Sequence, residues 1–515
     1  MNLGIYLTRT AAYHPDHVAL VCADRRWTYA ELDADSDRLA SALYGAGLTT
    51  GSAVATVADN CGELVVAEMA MCKAGFLRVP ISARLAPAEI EHVLVDSETR
   101  LVFAGARHAA IVSEMVARRA LDCRVVALES DGADGYAALL AQGEPGTVVA
   151  DLDADLPAVL NFTSGSTGTL KAAVQTVGNR LANMRKVAMN AELHVENEVY
   201  LAPGPITHAS GMGILSCFFR GATVVVLPRF TPSDYLDALE REKVTNTFLV
   251  PAMLNLVLAD PSLADRDLSA LRSVTLGGAP ISPARLRDAV GAFGPVVNQG
   301  YGQGETTSAI TFLSSADVVR GLESDPELLL SCGRPVFDTE VRVVDDAGAP
   351  VPVGEVGEVV ARGDDCVREY FHAPEATAET FRDGWVHTGD LGRFREDGFL
   401  FLVDRKKDMI VSGGYNVYCL EVETALYAHP AVFETCVYGV PDEKWGEAVK
   451  AAVVLKPGYE VTADELTEAC GRLISRVKIP RRIDFHTELP KNRNGKIDRR
   501  ALRDRDWAGA GRRVG

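Results

Sequence analysis

The chain has 515 residues, 47% of them hydrophobic and 24% charged. That length exceeds what one hydrophobic core organises, about 250–300 residues, so several domains or subdomains are expected, and the composition excludes long disorder, fibres and low-complexity arrays. With 70 acidic against 52 basic residues and a net charge of −18, the chain repels phosphate backbones, and nucleic acid is not an expected partner.

In chain order, short apolar runs alternate with helical stretches. Val54–Val57 precedes Glu63–Ala74, Val125–Leu128 precedes Ala137–Leu140, and Ala222–Leu227 precedes Ser233–Lys243. Strand, helix, strand is the grammar of a parallel or mixed sheet with buried strands. After about residue 335 the pattern changes to short strands at Val341–Val344, Val359–Ala361 and Phe399–Val403, separated by Gly-rich turns, which is the pattern of an antiparallel meander. Five charged residues, Asp404 to Asp408, then interrupt it. Such a run is either a solvated face or a domain boundary. Beyond it lies a compact α+β unit with a helix from about Leu420, a strand at Ala451–Leu455, a helix over Ala463–Ser475 and a basic tail.

No apolar run reaches the ~18 residues of a membrane-spanning helix. The opening residues lack the basic start and apolar stretch of a signal peptide. The ten cysteines are scattered without a Cys-x-x-Cys pair, which in a long chain reads as reduced, buried thiols of a cytoplasmic protein.

Four segments carry chemistry. The first is Thr163-Ser164-Gly165-Ser166-Thr167-Gly168-Thr169-Leu170-Lys171, after the apolar Ala158-Val159-Leu160. Glycines that free the backbone, hydroxyl donors and a lysine suit a cradle for phosphate oxygens. It is not a Walker loop, which joins Gly, Lys and Ser/Thr directly, and by itself it is also an ordinary flexible turn. The second is Tyr301-Gly302-Gln303-Gly304-Glu305, after Pro295-Val296-Val297, where a carboxylate at a strand end can hold Mg2+ that is also bound by substrate phosphates. The third is His387-Thr388-Gly389-Asp390, an Asp suited either to two ribose hydroxyls or to stabilising its own turn. The fourth is Pro490 to Asp498, from which Lys496 projects a mobile positive charge, or forms part of a solvated tail.

In this order and spacing the segments resemble the adenylate-forming (AMP-binding) enzyme superfamily, most closely its acyl-CoA synthetases and ligases. The resemblance spans nearly the whole chain, from Trp27-Thr28-Tyr29-Ala30-Glu31-Leu32 to Lys496. It implies an α/β fold: a large N-terminal domain of mixed sheets flanked by helices plus a β-rich subdomain (1–406), and a small mobile α+β C-terminal domain (407–515). It implies an ATP- and Mg2+-dependent ligase that makes an acyl-adenylate and passes the acyl group to a thiol, coenzyme A or phosphopantetheine.

By position, Thr163, Ser164, Ser166, Thr167 and Lys171 would hold phosphates and Glu305 the metal. Gly278-Ala279-Pro280 with Gly300, Tyr301 and Gly302 would enclose adenine. Asp390 would take the ribose hydroxyls, and Arg405 would support ribose or phosphate. Lys496 would bridge carboxylate and α-phosphate. Lys407 would be the pivot on which the C-terminal domain swings between half-reactions, bringing Gly413-Gly414 in to line a thiol tunnel with Trp445, a residue that equally packs the small domain. The chain departs from the family pattern at Leu170, Ala172, Gly304 and Asn492, where Pro, Gly, Thr and Thr are common; Gly304 thereby loses a hydroxyl near AMP.

The acid pocket is expected around His208, Ala209, Gly211, Met212 and Gly304, with Gly211 and Gly213 leaving room and Met212, Ile310 and Phe312 as apolar walls. His208 resembles the family's aromatic gate beside the carboxylate, or is a core histidine. Ala209 stands where amino-acid-activating relatives have an Asp, and a buried unpaired ammonium is costly. A medium-chain, cyclic or aromatic acid therefore fits best. The alternative acceptor is a carrier protein, an amine or another small nucleophile, and Arg472, Arg476, Lys478, Arg481 and Arg482 could meet coenzyme A, a carrier protein or only solvent. A homodimer is compatible with this reading, and the sequence is silent on oligomeric state.

Overall fold

The computed structural model describes residues 1–130, 132–146, 148, 150–164, 170–190, 197–442, 444–491 and 497–507. The N-terminal part is built on two large sheets. One has nine strands, in the spatial order Arg334–Pro335, Ala309–Leu313, Val297–Gly302, Ser273–Gly277, Asn246–Leu249, Val199–Ala202, Thr223–Val226, Val18–Cys22, Arg25–Thr28. The six from Val297–Gly302 to Val18–Cys22 run parallel, and the outer strands are antiparallel. The other has six, in the order Arg124–Ala127, Leu101–Ala104, Ala53–Ala58, Leu77–Ser82, Pro157–Ser164, Leu170–Thr176, parallel except for the last pair. Buried parallel strands should be apolar throughout, and every residue of Ala53–Ala58 is buried.

Local chemistry sets the helices between them. Thr28 and Glu31 form a reciprocal capping box at the start of Tyr29–Gly45, satisfying two otherwise orphaned N–H groups. Trp27, just before it, is buried against Gly62, where any side chain would overlap the indole. The expected helix over Ser233–Lys243 spans Pro232–Arg241, capped by Thr231.

The meander expected after residue 335 is a five-stranded antiparallel sheet: Thr339–Val344, Gly357–Gly363, Trp385–Phe394, Phe381–Arg382 and Leu400–Arg405. The smaller C-terminal part has its own core around Ile410, Val422, Val437, Val453 and Leu466. Its sheet orders Tyr415–Val417, Ile410–Ser412, Gly446–Leu455 and Val432–Asp442, with Arg482–Phe485 added parallel to Gly446–Leu455. The helix expected over Ala463–Ser475 ends earlier, at Gly471, a residue whose backbone freedom disfavours continuation.

Among the described residues no helix is long and apolar enough to cross a membrane. All ten cysteines are free thiols, eight of them buried.

Candidate active site

The parallel strands of the nine-stranded sheet end at one edge, where α/β proteins gather ligands. Gly278-Ala279-Pro280 follows Ser273–Gly277, whose last residue pairs with Gly300 on the next strand. Gly300, Tyr301 and Gly302 therefore lie beside the 278–280 turn. His208 begins the 3-10 turn Ala209–Gly211 after Val199–Ala202. These residues, except Gly211, line a cleft of about 3350 Å³ together with Thr163, Lys171, Gly304, Glu305, Asp390, Arg405 and Lys407.

Thr163 and Lys171 face each other across an antiparallel pair, so the lysine returns to the point where the threonine leaves. Ser164 is the last residue of Pro157–Ser164. Ser166, Thr167 and Lys496 lie outside the described residues; Lys491 and Ile497, on either side of 492–496, line the cleft.

Glu305 sits in the short turn Gly304–Thr306 and is only 7% exposed. Its Oε1 accepts from Thr163 Oγ1 at 3.0 Å and from the Tyr370 hydroxyl at 2.8 Å. No hydrogen bond to Oε2 occurs among the described residues, nor any cluster of three metal-ligating side chains. One held carboxylate suits Mg2+ bound chiefly through substrate phosphates and water. The turn is braced from below. Thr307 takes φ 60°, unusual for a β-branched residue, and its hydroxyl donates to the Asp365 carbonyl while the Asp365 carboxylate pairs with buried Lys186.

Asp390 and Arg405 are a cross-strand pair, with Arg405 Nε 3.4 Å from Asp390 Oδ1. The Tyr301 hydroxyl donates to Asp390 Oδ2 at 2.7 Å. Burial, and then the Asp390 charge, push the Tyr301 phenol well up, so it stays a donor. This carboxylate is oriented and retains lone pairs for two vicinal hydroxyls.

His208 is lowered by burial and then by the Arg84 charge, which favours neutral imidazole. Its Nδ1 lies 2.9 Å from the Thr207 hydroxyl. Sequence reasoning missed Asn60, whose amide donates to the Gly204 and Leu227 carbonyls (2.8 and 2.9 Å) and accepts from Ile206 N–H at 2.9 Å. It pins the turn that delivers His208. It also missed Tyr370. Neither has a local motif; each acts through residues more than 60 positions away.

Several expectations are corrected. Gly211 does not leave room in the pocket: a Cβ there would overlap the Ile206 carbonyl, so glycine serves a tight turn. Ile310 is fully buried in the core of the β-rich subdomain, whereas Phe312 and Met212 do line the cleft. Gly304 is more than a missing hydroxyl, since a Cβ would stand 2.9 Å from both Asn161 Nδ2 and Thr163 Cγ2. Apart from these corrections, Gly413 packs on the Trp445 indole and donates its N–H to the Trp445 carbonyl at 2.8 Å, with Gly414 and Trp445 outside the cleft.

The charged run is not a uniform solvated face. Asp404 is buried; its carboxylate accepts the Arg405 N–H at 2.8 Å and the Cys419 N–H at the start of Cys419–Tyr427, and burial raises it to about 6. Lys406 pairs with Asp346 at 2.8 Å, and Asp408 with Arg499 at 2.8 Å. Lys407 is lowered by burial, then by Arg405.

Residues 7–371 match the AMP-binding enzyme family and residues 421–496 the AMP-binding enzyme C-terminal domain. The chain is 38% identical over 506 residues to a feruloyl-CoA synthase of Amycolatopsis sp, covering 98% of this chain and 99% of that protein. It is 34% identical over 517 residues to the fatty acid–[acyl-carrier-protein] ligase ScoC of Streptomyces coeruleorubidus, covering 99% and 98%. The amide bond synthetase McbA from Marinactinospora thermotolerans superposes with a TM-score of 0.89 at 31% identity, covering 98% and 99%. The chain thus belongs to the AMP-binding family of adenylate-forming enzymes.

Proposed function

We propose that this enzyme activates a carboxylic acid, medium-chain, cyclic or aromatic, as its acyl-adenylate and transfers the acyl group to the thiol of coenzyme A. The observation that carries the reading is one cleft in which Lys171, Glu305, Asp390 and Arg405 face the same space as His208 and an apolar wall that includes Met212, Phe248, Met253 and Phe312. Cationic and hydroxyl groups suit a triphosphate, a braced carboxylate suits its metal, and the apolar wall suits the acid's body.

Lys171 would neutralise phosphate charge, and Asp390, held by Tyr301, would fix the ribose. Mg2+ on Glu305 would withdraw charge from the phosphates. Neutral His208 would gate the acid carboxylate without adding charge against the lysines, and Ala209 offers no partner for a substrate ammonium. Lys496 would stabilise charge at the α-phosphate during adenylation. The part from Lys407 onward would then pivot, exchanging the lysine loop for Gly413-Gly414 and Trp445 beside the incoming thiol.

A second reading, transfer to an amine or a carrier protein, is supported by the likeness to McbA and ScoC. Pyrophosphate release with ATP and Mg2+ across fatty, aromatic and amino acids, each with and without coenzyme A, tests both. Acid-dependent release raised by coenzyme A, with acyl-CoA seen by mass, supports the thiol ligase. Release that ignores coenzyme A supports the second reading. No release with any acid refutes adenylation.

A further inference from the structure

Tyr370 lies outside every segment singled out in the sequence, yet it stands between the two opposite charges of the phosphate end of the cleft. Its hydroxyl donates to Glu305 Oε1 at 2.8 Å, and the Lys171 ammonium lies 5.9 Å from its ring centroid, within cation–π range. Lys171 forms no ion pair with Glu305 among the described residues.

The backbone around Tyr370 is tied to both elements it bridges. Phe371 N–H donates to the Ala172 carbonyl (2.8 Å) and Val174 N–H to the Glu369 carbonyl (3.1 Å), which joins the segment to the strand carrying Lys171. Val367 N–H donates to the Glu305 carbonyl at 3.0 Å. Tyr370 N–H is held by Thr377 Oγ1 at 2.9 Å, and its ring packs 5.2 Å from that of Phe381. The side chain is thus set by the helix Pro374–Thr380, the strand Phe381–Arg382 and the strand of Lys171 before any ligand arrives.

Such placement has a chemical consequence. A lysine and a carboxylate facing one small volume attract each other, and a direct pair would consume both groups needed for a metal triphosphate. The phenol offers each a substitute: a hydrogen bond for the carboxylate and a π face for the ammonium. We propose that Tyr370 is a positioning residue that orients Glu305 for a divalent cation and keeps Lys171 from collapsing onto it. The inference rests on the reading of Glu305 as the metal carboxylate.

The test is binding of α,β-methylene-ATP to the full chain by calorimetry at rising Mg2+, in which no chemistry occurs. Tyr370→Phe keeps the ring and removes the hydroxyl. Its Mg2+ half-saturation should rise about tenfold, as for loss of a hydrogen-bond partner to a metal ligand, with nucleotide affinity at saturating Mg2+ unchanged. Tyr370→Leu removes the ring as well, and nucleotide affinity should fall even at saturating Mg2+. Glu305→Gln separates the two layers of argument. If Glu305→Gln shifts the Mg2+ requirement and Tyr370→Phe does not, the positioning role is overturned while the metal reading stands. A lower melting temperature for Tyr370→Phe with wild-type Mg2+ half-saturation means a purely structural role and also overturns it. If Glu305→Gln leaves Mg2+ half-saturation at the wild-type value, the metal reading falls and this inference with it.

Discussion

Gly304→Thr is the substitution on which sequence pattern and structure disagree most directly. The family pattern puts threonine at this position, and by that logic the change restores a useful hydroxyl. The structure leads to the opposite expectation. A Cβ at 304 would meet Asn161 Nδ2 and Thr163 Cγ2, each at 2.9 Å, closer than carbon–carbon contacts at optimal separation of about 3.5–4.0 Å. Both neighbours are side-chain ends, so they yield, and Thr163 must move. Its hydroxyl holds Glu305 Oε1 at 3.0 Å. A hydrogen bond to a charged group contributes about 1.5–3 kcal/mol, and each 1.4 kcal/mol is about a factor of ten. Gly304→Thr should therefore lower kcat/KM for ATP by about ten- to a hundredfold in pyrophosphate release, with the acid found by the substrate panel. Gly304→Ala carries the same Cβ without the γ atoms and should fall between. A Gly304→Thr enzyme as fast as wild type, or faster, would refute the packing argument.

Further outcomes follow from the proposed two-state cycle and from the hinge. Lys496→Ala should abolish adenylation yet leave thioester formation from a supplied acyl-adenylate largely intact; equal loss in both assays contradicts the lysine's confinement to the first step. Lys407→Pro should do the reverse, because proline fixes φ at the pivot; an unaffected second half-reaction removes Lys407 from that role. Asp404 has an ordinary carboxyl value of 3.8 raised to about 6 by burial, so folding favours its neutral form. Its stabilising contribution is fully present below about pH 4 and is lost as pH rises through about 6. Asp404→Asn keeps an acceptor for the Cys419 N–H and does not ionise. The stability of wild type relative to this variant should fall by at most about 3 kcal/mol between those limits and stay level above them, as read from thermal unfolding across pH. A difference that is flat, or that grows with pH, contradicts the burial argument.

The alternation of apolar strands and helices was legible because both periodicities are local: Ala53–Ala58 and Gly62–Ala74 announce themselves in their own residues. The same is true of the change to an antiparallel meander after residue 335. The ordered segments around Lys171, Glu305, Asp390 and Lys496 carried the family, since backbone freedom and charge type within a short loop already limit its chemistry.

Local sequence does not encode what approaches from elsewhere in the chain. Glycine at 304 reads as a lost hydroxyl and glycine at 211 as space, but both lie against neighbours, Asn161 and Thr163 in one case and the Ile206 carbonyl in the other. Asp404 belongs to a run that reads as a solvated face or a domain boundary, but packing buries its carboxylate against the first C-terminal helix. Asn60 and Tyr370 read as ordinary residues until the fold sets one under the turn of His208 and the other between Glu305 and Lys171. The order of residues along the chain settles which charged and flexible groups are available and in what succession. The tertiary structure alone decided which of them meet, because contacts between residues 60 to 150 positions apart depend on how the sheets stack and not on any short-range preference.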